Sequence, residues 1–175
     1  IEPGQKILNI WSRTGNLVPY FRKTGNLEIH NREVSSEMIR IAKERYPNEE
    51  FRLTNLEDLS EFSDNYFDRI ISLETLEHVP KPEIFLKELQ RILKPDGILV
   101  MSLPPKGSEI PEFFYNLFFK DHGEGPHQYL WPSEVKKLIT RSSLTLVSHK
   151  PFIIIPFGSD SSVRTGERLL TAVFG

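Results

Sequence analysis

Apolar positions along the chain fall into short runs separated by polar, capped segments, and their changing period predicts strands and helices in alternation. After the turn signal Pro3-Gly4, the run Ile7, Leu8 and Ile10 predicts a first strand, Lys6–Ile10. A loop then ends on Gly15, and Asn16 is a candidate cap for a helix over Leu17–Lys23, closed by Thr24-Gly25. Leu27–His30 alternates apolar with polar as a second strand. Ser35 or Ser36 opens a helix that sets Met38, Ile41 and Ala42 on one face and stops at Tyr46-Pro47. Phe51–Thr54 reads as a third strand, and Asn55–Asp64 as a polar, acidic loop with room for one helical turn. Phe67–Leu73, with Ile70, Ile71 and Leu73 nearly continuous, reads as a fourth strand buried on both faces.

In the second half, Pro82–Leu93 has proline in its first turn, an apolar stripe at Phe85, Leu89, Ile92 and Leu93, and a stop at Lys94-Pro95-Asp96-Gly97. Ile98–Leu103 is a fifth buried strand. Helices are expected at Phe113–Phe119 and Glu134–Thr140, and a sixth strand at Leu144–His149. An apolar run, Phe152–Ile155, precedes a polar loop, Gly158–Gly166, and a last short element at Glu167–Phe174. Strands alternating with helices across short loops imply an α/β fold: a doubly wound, mostly parallel sheet with helices on both faces.

Composition narrows the partners. The chain has 175 residues, 38% hydrophobic and 26% charged, enough for one domain with a core of its own. A formal charge of -2 gives no footprint for nucleic acid or an anionic membrane surface. The absence of cysteine excludes disulfides and thiolate metal sites and fits a reducing compartment. No run is long enough for a membrane-spanning helix and no secretory pattern opens the chain, so a cytoplasmic location is expected. Because residue 1 is Ile rather than Met, an N-terminal segment can have been removed.

Three stretches carry a family likeness. Asp64–Pro80 reads Asp-Asn-Tyr-Phe-Asp-Arg-Ile-Ile-Ser-Leu-Glu-Thr-Leu-Glu-His-Val-Pro. Phe85–Leu89 and Arg91–Val100 read Phe-Leu-Lys-Glu-Leu and Arg-Ile-Leu-Lys-Pro-Asp-Gly-Ile-Leu-Val, and Val34–Met38 reads Val-Ser-Ser-Glu-Met. In this order and spacing they resemble the class I S-adenosylmethionine-dependent methyltransferases of the small-molecule type. The resemblance covers Lys6 to about Leu103, and implies a cofactor-binding half at 1–103 and a substrate-side half at 104–175 of one domain. It also implies S-adenosylmethionine as cofactor and a small-molecule acceptor.

Carried over position by position, the resemblance places the cofactor against Asn9, Trp11, Arg13, Gly15, Glu33, Val34, Asn55, Leu56, Leu73 and Glu74. Glu33, at the end of the second strand, suits the ribose diol, although an acid before a helix also serves the helix N-terminus. Asn55 stands where the family commonly has an Asp that accepts from the adenine amine; as a bare turn residue it needs no ligand. The first loop departs from the family pattern Asp-x-Gly-x-Gly-x-Gly, since Asn9, Trp11 and Arg13 replace its Asp and first two glycines and only Gly15 remains. Glycines there allow a tight turn and close approach of the ligand. Trp11 therefore either fills the space of the ligand's amino-acid end or stands beside it, with Arg13 meeting the ligand carboxylate.

Methyl transfer asks for a positioned nucleophile and a nearby base. The candidates are His78, beside Glu74 and Glu77, and His122 and His127, in a Gly-rich loop with Asp121 and Glu124. His78 also suits a structural hydrogen bond, and the spacing of His122, Glu124 and His127 is not diagnostic of a metal. Two functions follow: a methyltransferase, or a methyltransferase-like module that has lost the cofactor and serves as a scaffold. A nicotinamide dehydrogenase shares the opening but gains nothing from the later blocks. The family's sheet ends in a seventh, antiparallel strand for which too little chain remains after Leu144–His149, so either a longer native protein or dimerisation through an exposed sheet edge is expected.

Overall fold

A computed structural model describes residues 1–104, 106 and 128–150, and divides the chain into two units, Ile1–Thr145 and Leu146–Gly175. In the first unit, strands β1 (Lys6–Ile10), β2 (Glu28–Glu33), β3 (Phe51–Leu53), β4 (Phe67–Leu73) and β5 (Leu93–Ser102) form a parallel sheet in the order β3-β2-β1-β4-β5. Helices α1 (Val18–Thr24), α2 (Ser36–Arg45), α3 (Pro82–Ile92) and α4 (Pro132–Arg141) flank it. The chain runs outward from β1 to β3 and then restarts at β4 on the other side. The loops after β1 and β4 therefore lead off in opposite directions, and the carboxyl ends of these two strands are where a sheet of this topology places its ligand crevice.

The two faces follow from the alternation along β1. Leu8 and Ile10 join β4 and the stripe Phe85, Leu86, Leu89 and Ile92 of α3 in the larger core cluster, with Leu138 of α4 packed against it. On the other side, Val18 of α1, Ile39 and Ala42 of α2, and Phe51 of β3 form a smaller cluster. The cap expected at Asn16 is not used: α1 starts after Leu17 without a side-chain cap, and the Asn16 carbonyl instead accepts from the Thr14 hydroxyl at 3.0 Å. Ser35 does cap α2, accepting from the Met38 amide at 3.3 Å.

The structure corrects three further expectations. Residues 55–64 form no helical turn, but they are more than a polar loop, because Leu56, Leu59 and Phe62 are buried in the larger core. Arg91 holds this segment by donating to the carbonyls of Leu59 (3.0 Å) and Phe62 (2.9 Å), while Glu88 accepts from the Leu59 amide at 3.2 Å. Two of the acids that made the stretch look like a solvated loop are themselves engaged, Asp64 accepting from Arg91 and Glu61 from Arg32, each at 2.8 Å. Strands β4 and β5 are not buried on both faces: Leu73, Ile98 and Val100 are exposed, since α1 and α2 cover the β2–β3 side of that face and no described element covers the rest. Leu144–His149 is not a strand. None of the described residues pairs with it, so its backbone gains no ladder from them, and Val147 is 90% exposed. The stretches Phe113–Phe119, Phe152–Ile155 and Glu167–Phe174 lie outside the described residues, and with them the test of a seventh strand.

Acid sensitivity follows from the N-terminal ends of the strands. The Glu28 carboxyl is lowered from its ordinary 4.5 to about 2, chiefly by the Tyr66 hydroxyl that donates to it at 2.6 Å, then by His30. Asp68 is also held below its ordinary value, by the Lys6 amide and the Lys94 ammonium. A depressed carboxyl stabilises the fold above its unfolded pKa and loses that contribution as pH falls through the folded one. The urea midpoint should therefore drop between pH 4.5 and about 2, and Tyr66→Phe should flatten this dependence in denaturation curves taken at several pH values.

Candidate functional site

Of the expected site residues, Trp11, Arg13 and Gly15 lie on the loop after β1, and Leu73, Glu74 and His78 at the end of β4 and just beyond it, bordering the crevice. Gly15 closes the first loop at φ +80°, and a Cβ there would stand 2.8 Å from the Tyr46 ring and 3.0 Å from Phe51. Left-handed backbone and a closed space both demand glycine. Gly15→Ala should cost about 2–3 kcal/mol, read as a lower thermal midpoint.

The two replaced glycines keep the backbone that glycine would favour. Trp11 sits at φ 59° and Arg13 at φ 53°, and across the crevice Glu74 sits at φ 48°. Each costs about 1 kcal/mol or more, and such strain persists where surrounding contacts enforce it. At Arg13 the enforcing group is Glu33, whose side chain is buried at the end of β2. One carboxylate oxygen accepts from the Arg13 amide at 2.6 Å, and the other from the amides of Val34 (2.8 Å) and Ser35 (3.0 Å). The Ser12 amide donates to the Arg32 carbonyl at 2.9 Å, so the tip of β2 holds the loop at two successive residues.

Trp11 points neither to open solvent nor into β2. Its indole stacks on the His78 imidazole with centroids 4.8 Å apart and planes 14° from parallel, and the Arg13 guanidinium lies 5.4 Å from the indole centroid. His78 belongs to a 3-10 turn, Leu76–His78, just after β4, and its side chain is buried, as is the neighbouring Glu77. The stack therefore joins the two loops that border the crevice.

Other expected residues spend their polar groups within the fold. Asn9 is buried and donates from Nδ2 to Asn31 Oδ1 at 2.8 Å, on the face of the sheet rather than at its end. Asn55 is exposed and its Oδ1 accepts from the Glu57 amide at 3.0 Å, a turn that leaves a second lone pair for a ligand. Leu56 is a core residue, while Val34 and Leu73 are exposed at the tips of β2 and β4. Glu74 accepts from the Ser102 hydroxyl at 2.6 Å, tying β4 to β5. His122 and His127, with Asp121 and Glu124, lie outside the described residues. No metal-ligating cluster occurs among the described residues.

Two serines emerge that sequence reasoning passed over. Ser12 and Ser72 are buried at the ends of β1 and β4, and neither hydroxyl has a hydrogen-bond partner among the described residues; nor does Trp11 Nε1. The one sequence signal was a hydroxyl breaking the apolar run Ile70-Ile71-Ser72-Leu73 at its carboxyl end. Buried orphaned polar groups at the rim of a crevice are what a polar ligand there would satisfy. The Glu33 carboxylate and Asn55 Oδ1 are acceptors and the two hydroxyls can donate or accept, a mixture that suits a ligand bearing both hydroxyl and amine groups.

A methyltransferase-domain family model matches residues 8–101, more than half of the chain. The chain belongs to this family. The ubiquinone/menaquinone biosynthesis C-methyltransferase UbiE of Cupriavidus metallidurans is 29% identical over 129 residues, 69% of this chain and 52% of the relative. The ubiquinone biosynthesis O-methyltransferase of Neisseria meningitidis is 21% identical over 161 residues, 84% of this chain and 66% of the relative. The chain thus spans about half the length of several curated relatives that it matches. Among solved structures, a SAM-dependent methyltransferase from Methanosarcina mazei shares the fold at TM-score 0.65 and 20% identity, over 81% of this chain and 80% of that one. The YcgJ protein of Bacillus subtilis shares it at TM-score 0.71 and 20% identity, over 95% and 72%. The methyltransferase-domain match ends at residue 101, one residue short of the end of β5.

Proposed function

We propose that this methyltransferase domain binds S-adenosylmethionine in the crevice between the loops after β1 and β4 and serves methyl transfer to a small-molecule acceptor. The observation that carries the reading is the retained backbone of the first loop: Trp11 and Arg13 hold left-handed conformations in place of glycines, with Glu33 bonded to the Arg13 amide and the Arg32 carbonyl to the Ser12 amide between them. When bound, the cofactor supplies an electrophilic methyl group. The residues do the rest. Glu33 has about four lone-pair directions, of which three serve amides, and offers the remaining one to a ribose hydroxyl. Asn55 Oδ1 accepts from the adenine amine, and Ser12 and Ser72 find partners on the ligand. His78 borders the same crevice and is the base we assign among the described residues, with His122 and His127 as further candidates.

A formal charge of -2 favours a small neutral or cationic acceptor over nucleic acid, and a chain without cysteine suits the cytoplasm. No described helix is long and apolar enough to cross a membrane. Among the described residues the outer edge of β5 carries no strand, and pairing of two copies there is the dimer we infer, to be read by analytical ultracentrifugation. The second reading, a scaffold without cofactor, draws on the Trp11–His78 stack across the crevice. Calorimetric titration with S-adenosylmethionine separates the two: saturable 1:1 heat supports the enzyme, and its absence from a folded sample supports the scaffold.

A further inference from the structure

The loops after β1 and β4 part because the strand order reverses between them, and a ring contact spans the gap: the indole of Trp11 lies flat on the imidazole of His78. Three features mark that contact as displaceable. Trp11 adopts left-handed backbone that a tryptophan disfavours. Its Nε1–H is buried without an acceptor among the described residues. The hydroxyls of Ser12 and Ser72, at the ends of the same two strands, are orphaned as well, so the closed arrangement satisfies none of the three. A merely structural tryptophan would be expected to direct its N–H to a partner.

We infer that Trp11 sets the affinity of the site for its adenosyl ligand by acting as a resident plug, stacked on His78 when the crevice is empty and displaced when the ligand enters. The inference rests on the donor-binding reading above and deepens it. The apparent affinity is lowered by the fraction of molecules in which the plug is open. Ligand entry exchanges the stack for contacts to the orphaned groups, and the Arg13 guanidinium, next to the indole, moves with it or remains to meet the ligand carboxylate.

The chain has two tryptophans, so Trp131→Phe leaves Trp11 as the only indole reporter. That protein is titrated with S-adenosylhomocysteine, which binds without turnover, while tryptophan emission and calorimetric heat are followed together. The expected result is an emission shift that saturates with the same dissociation constant as the heat. Trp11→Gly is expected to bind about tenfold more tightly, corresponding to an open fraction of about one tenth in the parent. Trp11→Phe, which keeps a ring on His78, should stay near the parent value. His78→Ala removes the stack from the other side and should reproduce the gain if Trp11→Gly fails to fold. Binding to the parent without an emission change, or without any gain in the folded variants, overturns the plug and leaves the donor reading standing. Binding to neither the parent nor the folded variants overturns both, and binding to the variants alone upholds the plug.

Discussion

Glu33→Ala should unfold far more readily than a single lost ligand contact predicts. The carboxylate accepts three backbone amides, from Arg13, Val34 and Ser35, at 2.6, 2.8 and 3.0 Å in a buried setting. Removing it orphans three N–H groups, each worth about 1–3 kcal/mol when buried, although water entering the vacated space recovers part. A loss of about 3–5 kcal/mol is expected by urea denaturation, a large share of the stability of a domain this size. Glu33→Gln keeps an acceptor oxygen and should cost less, but its amide nitrogen must face backbone donors. Ligand affinity should fall in both variants, by about 1.5–3 kcal/mol for the charged hydrogen bond itself. Because Glu33 also fixes the Arg13 amide, the loss should exceed that of an exposed ribose contact. Equal stability of Glu33→Ala and the parent would show that the first loop is held by something else.

This outcome depends on how the site differs from what its sequence displays. Alternating periods made the five strands and α1, α2, α3 and α4 legible, and β1 and β4 fall on their expected bounds because their apolar runs are bounded by turns. Leu144–His149 carried a similar pattern and is no strand, since a pattern says which side would be buried but not whether a neighbouring strand is there. Residues 55–64 misled in the opposite direction, because the count of acids hid the spacing of Leu56, Leu59 and Phe62. Within the site, the position of Glu33 was readable from its distance after the first loop, but its three amide partners were not, as they depend on the loop folding back onto β2. The departure at Trp11 and Arg13 was plain in the sequence. That both would keep left-handed backbone was not, because the preference of tryptophan and arginine runs against it and only the finished loop imposes it.

The residue before Glu33 carries the second large effect. Arg32 is buried, yet its guanidinium donates to both carboxylate oxygens of Glu61 at 2.8 Å, to Glu50 at 3.2 Å and to the Asn31 carbonyl at 3.2 Å, and it lies 4.8 Å from the Phe62 ring centroid. A guanidinium inside a protein depends on such partners, since removing one strands the charge at a cost of about 3–5 kcal/mol. Glu61→Ala should therefore destabilise by about 3 kcal/mol, the lower end because Glu50 remains. Its carbonyl oxygen, meanwhile, accepts the Ser12 amide, so the same residue that anchors residues 55–64 through Glu61 also steadies the first loop. Adding Arg32→Met to Glu61→Ala removes the stranded charge and should recover part of the loss. Denaturation of the two single variants and the double gives a coupling energy that distinguishes a stranded charge from lost packing. If the double variant is as unstable as the sum of the singles, the guanidinium acts through its bulk, and its carboxylate partners do not set the stability of β2.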